Sequence, residues 1–193
     1  MIIQKDARTI TPADFPQRYK VIIADCPWNY VGWTRRGSAK KEYKGTLLQS
    51  ELEKMPIDDI CFDDCVLLLW GTWPKLPTVL SVLQSWRFDY VTGFPWVKTT
   101  RNNAIRWGTG YWVRGCSEYV FIGKKGKATF PKINYLGLLS PNLKHSRKPD
   151  SLHEYAESMP GPYLELFARR ERAGWDCFGN EVKKLQTGIW NEE

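Results

Sequence analysis

Residues 21–28 read Val-Ile-Ile-Ala-Asp-Cys-Pro-Trp, and this stretch determines the predicted fold. Residues 21–24 are continuously apolar and mostly β-branched, which is typical of a strand buried on both faces of a sheet. Pro27 has no backbone N–H and cannot continue a central strand, so the strand is expected to stop at a loop. The sequence therefore predicts that Asp25 lies where a buried strand ends.

Further strand-like and helix-like segments alternate along the chain. Strands are predicted at 65–70, 90–98, 117–122 and 163–167, helices at 47–54, 76–86 and 149–159, and a last recognisable segment at 174–182. Polar segments at 29–46, 99–115 and 123–148 are expected to be loops. This alternation predicts an α/β fold with a mostly parallel central sheet and helices on both faces. Ligands of such sheets bind beyond the carboxyl ends of the strands, which points to the loops after Ala24 and Phe167.

Composition narrows the class of protein. The 193 residues fit one domain, and no internal repeat or linker divides them. No apolar run approaches the roughly 20 residues that a membrane span needs, and the first ten residues lack a signal-peptide pattern. Five cysteines, mostly in or beside apolar runs, favour reduced thiols in a cytoplasmic protein. Cys61 and Cys65 have no second cysteine pair, and the chain has two histidines, so no metal site is expected.

The charge balance favours a polyanionic partner. The formal net charge is +7, and ten tryptophans offer surfaces on which bases could stack, although most are expected in the core. Basic residues concentrate in loops that would flank the site, where they would contact phosphates unless they are ordinary solvated side chains. They are Arg35, Arg36, Lys40, Lys41, Lys44, Lys124, Lys125, Lys127, Lys132, Lys144, Arg147 and Lys148.

The segment Asp25-Cys26-Pro27-Trp28 suits the methylation of a base amine. An exocyclic amine is a poor nucleophile because its lone pair is delocalised into the ring, and acceptors for its N–H groups favour the reactive form. Asp25 supplies one acceptor, and Trp28 supplies a face for a flipped base. The alternative is a strand that simply ends at Asp-x-Pro with Trp28 buried. The sequence has no G-x-G-x-x-G or Walker motif, which weakens dinucleotide and phosphoryl-transfer interpretations.

The run VIIADCPWNY resembles the aspartate–proline–proline–tryptophan motif of the MT-A family of adenine-N6 methyltransferases, which includes the catalytic subunit that methylates eukaryotic messenger RNA. The resemblance covers about residues 20–182, because further motifs occur in the family's order. They are LLLW (67–70), WVKT (96–99), GTGYW (108–112), SRKPD (146–150), ELFAR (165–169) and GWDCFGNE (174–181). It implies a Rossmann-like methyltransferase fold and S-adenosyl-L-methionine as cofactor.

The resemblance also implies roles for individual residues. Asp25, Pro27 and Trp28 would lie at the chemistry. The residues implied to bind the cofactor are Asp6, Asp25, Cys26, Lys148, Glu165, Leu166, Phe167, Arg169, Asn180 and Glu181. Those implied to bind the substrate are Trp28, Tyr30, Arg35, Arg36, Tyr43 and Arg147.

The chain departs from the family at Cys26, where the motif has proline, and this costs backbone rigidity. Because the chain resembles compact bacterial and phage members, DNA is the favoured substrate and RNA the second choice. Two alternatives remain open: a non-catalytic nucleic-acid-binding scaffold and a cytosine-N4 methyltransferase. A homodimer or a heterodimer is compatible with the sequence, and no membrane partner is expected.

Overall fold

The structure is a computed structural model that describes residues 1–33, 40–42, 45–108, 112–132, 138–141, 148–180 and 182. The strands are β1 Ile2–Ile3, β2 Tyr19–Ala24, β3 Val31–Trp33, β4 Lys40–Glu42, β5 Cys61–Gly71, β6 Asp89–Thr99, β7 Ser117–Lys125, β8 Leu138–Pro141, β9 Tyr163–Leu166 and β10 Trp175–Phe178. The helices are α1 Gln49–Glu53, α2 Leu76–Ser85 and α3 Ser151–Glu157.

In the described part of the chain, eight strands form the main sheet in the order β1-β10-β9-β2-β5-β7-β6-β8. Strands β1, β10, β9, β2 and β5 run parallel, β7 is antiparallel to β5 and β6, and β8 is parallel to β6. The predicted α/β class with a mostly parallel sheet is confirmed. None of the described helices has the length and apolarity that crossing a bilayer requires.

The central strands are apolar throughout because both faces of the sheet are covered. Ile22 of β2 belongs to a core cluster with Leu52 of α1 and Val79 of α2. Its neighbour Ile23 belongs to a second cluster on the opposite face, with Leu152 of α3. Successive side chains of a strand point to opposite faces of the sheet. A strand that is apolar at every position therefore needs a helical layer on each face, and the structure provides both layers.

Two polar segments that were predicted as loops contain strands. Within 29–46, β3 and β4 pair antiparallel with Val31 opposite Glu42, and within 123–148, β7 runs on to Lys125 and β8 follows. The predictions were wrong at these points because the strands are held by backbone hydrogen bonds, which a polarity pattern does not reveal. In β7, pairing with β5 and β6 on both sides carries the strand through the polar residues 123–125.

The third helix begins later than predicted. Pro149 was expected at the first helical position, but Asp150 caps the helix and its carbonyl accepts the N–H groups of His153 and Glu154. The residue before a proline disfavours helical geometry, so Lys148 stays outside the helix. This places Lys148 on the connection that leads into the helix, where it lines the cavity described next.

Candidate active site

A cavity of about 620 Å³ opens at the carboxyl edge of the sheet. Its walls come from the segments that follow four strands: residues 25–28 after β2, 70–72 at the end of β5, 167–169 after β9 and 178–180 at the end of β10. The remaining lining residues are 5–8, Tyr30, 45–47, Lys98, Glu118 and Lys148. The cavity thus lies where parallel α/β sheets bind their ligands.

The turn after β2 is held rigidly by backbone hydrogen bonds. The N–H of Asp25 donates to the carbonyl of Leu166 at 3.3 Å, and the N–H of Trp28 donates to the carbonyl of Cys26 at 2.8 Å. The N–H of Leu47 donates to the carbonyl of Pro27 at 2.9 Å. The Pro27 carbonyl therefore keeps one lone pair for a ligand. Backbone hydrogen bonds thus hold the turn on both sides, with cysteine at position 26.

Trp28 contributes both to the cavity wall and to the hydrophobic core. Only 5% of its surface is exposed, and its indole Nε1–H donates to the Trp70 carbonyl at 3.1 Å. Cys26 beside it is buried, and burial, followed by the nearby Asp25 carboxylate, raises the pKa of its thiol well above the ordinary value. Cys26 is therefore a neutral packing group at neutral pH.

Four charged side chains meet at one end of the cavity. The ammonium of Lys148 lies 2.8 Å and 2.7 Å from the two carboxylate oxygens of Asp25 and 3.2 Å from Oε2 of Glu118. Glu118 pairs in turn with Lys98. Asp25, Lys148, Glu118 and Lys98, called the charge quartet below, carry two positive and two negative charges, so the group is balanced without a ligand.

The pKa values within the charge quartet follow from this pairing. Burial by itself lowers the pKa of Lys148, but the Asp25 and Glu118 carboxylates outweigh it and the pKa lies above the ordinary 10.5. Burial by itself raises the pKa of Glu118, but the Lys148 and Lys98 ammonium groups outweigh it and the pKa lies below 4.5. Both side chains are therefore charged at neutral pH.

The opposite end of the cavity is built around the ends of β9 and β10. Phe167 adopts a left-handed conformation with φ +62°, a backbone state that is uncommon for residues other than glycine and is enriched at functional sites. The N–H of Ala168 donates to the Phe178 carbonyl at 2.8 Å. A Cβ atom on Gly179 would lie 2.2 Å from the carbonyl oxygen of Ala168, so the two segments approach as closely as they do because residue 179 is glycine.

The amino-terminal segment closes the cavity from the side. Asp6 and Arg8 line it, and the Arg8 guanidinium donates to Glu51 of α1 at 2.6 Å and reaches both oxygens of Asp6 at 3.3–3.4 Å. Lys5 is held by Asp14 at 2.8 Å. These ion pairs fix a segment that lies outside the sheet.

The chain matches a known family over most of its length. The MT-A70 family profile matches residues 19–181. This chain belongs to the MT-A70 family. The resemblance inferred from the DCPW segment and the ordered motifs after it is thereby confirmed.

Relatives of this MT-A70 chain carry methyltransferase names. It is 32% identical to the "Type II methyltransferase M.MunI" of a Mycoplasma species, over 90% of this chain and 84% of that protein. It is 28% identical to the human "N(6)-adenine-specific methyltransferase METTL4", over 90% of this chain but only 39% of that protein. It is 26% identical to the "N6-methyladenosine RNA methyltransferase MTA1" of Cryphonectria parasitica, over 87% of this chain and 53% of that protein.

Most of the predicted site residues that the structure describes line the cavity. They are Asp6, Asp25, Cys26, Pro27, Trp28, Tyr30, Lys148, Phe167, Arg169 and Asn180. Glu165 and Leu166 do not belong to its described walls: Leu166 is buried in the core, and Glu165 contacts His153 Nε2 at 2.9 Å. Both belong to β9 itself rather than to the segment after it, so their side chains pack within the layers of the fold. The predictions for Arg35, Arg36, Tyr43, Arg147 and Glu181 fall outside the described residues.

Sequence reasoning missed two members of the charge quartet. Lys98 was noted only as part of a motif and Glu118 only as part of a strand, yet both line the cavity of this MT-A70 chain. Two features of the sequence pointed to them: Lys98 ends a predicted strand, and Glu118 lies in an otherwise apolar one. Charged residues in buried strands are rarely incidental, so both positions were candidates for the site.

The walls suit a nucleoside joined to an amino acid. The volume lies within the range of small-molecule sites, and polar groups stand at both ends of the cavity. Asp6 and Asn180 offer hydrogen-bonding groups at one end, and Lys148 offers a cation at the other. Within the described residues, no group of three or more His, Cys, Asp or Glu side chains is arranged to hold a metal ion.

Proposed function

We propose that this chain is an S-adenosyl-L-methionine-dependent methyltransferase that methylates the N6 amine of adenine in a nucleic acid. Membership in the MT-A70 family and relatives named as N(6)-adenine-specific and N6-methyladenosine methyltransferases support the reaction. DNA is the favoured substrate because the chain resembles compact bacterial and phage members, with RNA as the second choice.

One observation carries the proposal: the carboxylate of Asp25 faces a cavity that Trp28, Lys148 and Asn180 also line. A carboxylate oxygen that accepts an N–H of the amine increases the reactivity of its nitrogen. Lys148 occupies one direction on each oxygen, and each oxygen has a second lone pair for the incoming amine.

The same cavity holds the groups that we assign to the cofactor. Asp6, Phe167, Arg169 and Asn180 would hold its nucleoside part, and Lys148 would pair with its carboxylate. When bound, the cofactor supplies an electrophilic methyl group on a sulfonium. The residues of this chain contribute by fixing the relative position of amine and cofactor, which is the main component of catalysis in such a transfer.

The Asp25→Ala variant tests the proposal. We expect methyl transfer from labelled cofactor to a mixed DNA and RNA pool to fall about a hundredfold or more, because the acceptor for the amine is lost. Asp89→Ala, a change of the same kind at an exposed position at the start of β6, should keep wild-type activity. Full activity in Asp25→Ala would overturn the assignment.

Two further measurements address the alternatives. Calorimetry with S-adenosyl-L-methionine separates the enzyme from a scaffold, because a scaffold without the cofactor site should release no binding heat. Nucleoside analysis of the methylated pools separates adenine N6 from cytosine N4, and separate DNA and RNA pools decide the substrate. The intact Asp25 and the intact cavity favour the adenine enzyme over the scaffold.

We also infer that the protein works in a reducing, cytoplasmic compartment. All five cysteines are free thiols, and Cys26, Cys61, Cys65 and Cys177 are buried. Four buried, unpaired thiols are typical of proteins that do not meet an oxidising environment. Thiol titration of the unfolded purified protein under non-reducing conditions should find five groups.

A further inference from the structure

Tryptophan is distributed unevenly in this structure. Among the tryptophans whose side chains the structure describes, Trp28, Trp70, Trp86, Trp96 and Trp175 are buried. The others are exposed: Trp73 by 52%, Trp107 by 56% and Trp112 by 93%. A single exposed tryptophan needs no explanation, but these three share a location.

All three follow strand ends at the edge where the cavity opens. Trp73 comes directly after Thr72, which lines the cavity at the end of β5. Trp107 and Trp112 lie in the connection from β6 to β7, between the cavity residues Lys98 and Glu118. Since β7 is antiparallel to both neighbours, its first residues lie beside the last residues of β5 and β6.

Backbone hydrogen bonds tie described parts of the β6–β7 connection to the cavity wall and to each other. The N–H of Arg106 donates to the Lys98 carbonyl at 2.8 Å, so the residue before Trp107 is tied to the cavity wall. The N–H of Gly108 donates to the Gly115 carbonyl at 2.7 Å, which brings together the two sides of the connection. Trp73 packs edge-on against Tyr119 with ring centroids 4.0 Å apart, and this contact orients its ring while half of its surface stays exposed.

The charge around these rings is positive. The segment 100–116 contains Arg101, Arg106 and Arg114 and no aspartate or glutamate. Every residue described between 100 and 115 is exposed, including the three arginines. Exposed aromatic rings interspersed with arginine are the combination that binds unpaired nucleic-acid strands, through base stacking and phosphate contacts.

We propose that Trp73, Trp107 and Trp112 form a stacking surface for the bases next to the target adenine. This inference rests on the proposed function and adds the means by which the substrate strand is held. A base that enters the cavity leaves its neighbours without a stacking partner on one side, and the exposed indoles at the cavity mouth replace that partner. The charge complementarity of segment 100–116 favours a nucleic-acid strand over a second copy of this basic chain.

The test uses fluorescence anisotropy with a short labelled single-stranded DNA that contains one adenine. Replacing all three tryptophans by alanine should weaken binding by about 5- to 150-fold for each base that loses its stack. Replacing them by phenylalanine should restore most of the affinity, because the aromatic faces return. Tyr90→Ala, which changes an exposed aromatic residue near the start of β6, should bind like the wild type.

A second oligonucleotide identifies the contacted bases. When the nucleotides on both sides of the adenine are abasic, the wild type and the alanine variant should bind equally. Equal affinity for the intact oligonucleotide would overturn the proposal, as would a loss that persists with the abasic one. Sedimentation that shows a wild-type dimer dissociated by the tryptophan changes would assign the surface to a second copy of the chain, which also overturns it.

These readouts are independent of catalysis. Cofactor calorimetry on the alanine variant should match the wild type, which shows that the cavity is intact. Tryptophan-dependent binding without methyl transfer by the wild type would support the stacking surface while refuting the methyltransferase proposal. Methyl transfer with tryptophan-independent binding would do the reverse.

Discussion

The ammonium nitrogen of Lys148 lies 2.7 Å and 2.8 Å from the two oxygens of the Asp25 carboxylate. One residue comes from the turn after β2 and the other from the connection before α3, 123 positions later. The pair joins the side chain that we assign to the substrate amine to the one that we assign to the cofactor carboxylate. A substitution at either residue should therefore affect both substrate binding and cofactor binding.

Lys148→Met should destabilise the fold as well as the site. It leaves the Asp25 and Glu118 carboxylates without the cation between them, and removing one partner of a largely buried ion pair costs about 3 kcal/mol. Urea unfolding at neutral pH measures the loss. The double variant Lys148→Met with Asp25→Asn should recover part of it, because Asp25 loses the lysine that holds both of its oxygens, whereas Glu118 still pairs with Lys98. Losses that simply add in the double variant would show that the two side chains do not interact.

Gly179→Ala should weaken cofactor binding. The added Cβ atom would lie 2.2 Å from the Ala168 carbonyl oxygen, so the backbone segments that form this end of the cavity must move apart. We expect a loss of stability of about 1–3 kcal/mol and lower affinity for S-adenosyl-L-methionine by calorimetry. Gly115→Ala is the matched control, since a Cβ atom there meets nothing within 4 Å. Unchanged affinity and stability in Gly179→Ala would contradict the close approach.

Trp86→Phe should loosen the contact between the first two helices. The buried indole Nε1–H donates to the Leu52 carbonyl at 2.8 Å, and phenylalanine removes this bond, while the N–H of Met55 still donates to the same carbonyl at 3.2 Å. The loss of one intramolecular hydrogen bond should lower the free energy of unfolding by about 0.5–1.5 kcal/mol, measured by chemical denaturation. Trp73→Phe makes the same replacement at an exposed position and should change stability by less than about 0.5 kcal/mol. Similar effects for the two variants would refute the role of the Trp86 bond.

Glu157→Gln should lower the stability of the fold at neutral pH, and this effect should disappear as the pH falls toward about 2. Hydrogen bonds from Arg172 and then from Trp175 lower the pKa of Glu157 from 4.5 to about 2. A carboxylate whose pKa is lower in the folded state stabilises the fold above its ordinary pKa, and the contribution disappears as pH falls toward the folded value. The melting temperatures of wild type and variant should differ at neutral pH and converge between pH 4.5 and about 2.

The Glu157 carboxylate is partly exposed, so solvent screening limits the difference at neutral pH to less than about 1 kcal/mol. Glu171→Gln, which changes an exposed acid nearby, is the matched control and should melt at the wild-type temperature at neutral pH. A constant difference across the whole pH range would mean that the carboxylate charge is not the cause.

The layers of this fold could be predicted because they follow from side-chain patterns. Apolar runs such as residues 21–24 and 65–70 lie in strands that are buried on both faces, and the helical spacing of 76–86 corresponds to α2. The β3–β4 pair and β8 were missed because their segments are polar, and backbone pairing leaves no periodic signal there.

The site was predictable only where one motif carries it. Asp25, Pro27 and Trp28 are adjacent in sequence, and Lys148 and Asn180 belong to motifs that resemble the family's. Glu118 and Lys98 reach the cavity because β7 is inserted between β5 and β6 in the opposite direction. Sequence alone does not specify strand order, so neither residue could be placed beside Lys148 in advance.

Because β7 runs opposite to its neighbours, the segment that we assign to the substrate strand and the strand ends that we assign to the cofactor nucleoside lie at different parts of the cavity edge. The segment after β5 and the connection that enters β7 lie at one half of the cavity edge, while the ends of β9 and β10 shape the other half. We therefore expect insertions or replacements between positions 100 and 116 to alter the surface that we assign to the substrate strand, while residues 167–169 and 178–180, which we assign to the cofactor nucleoside, keep their geometry. A scaffold arranged in this way can acquire new target preferences by exchanging one surface segment.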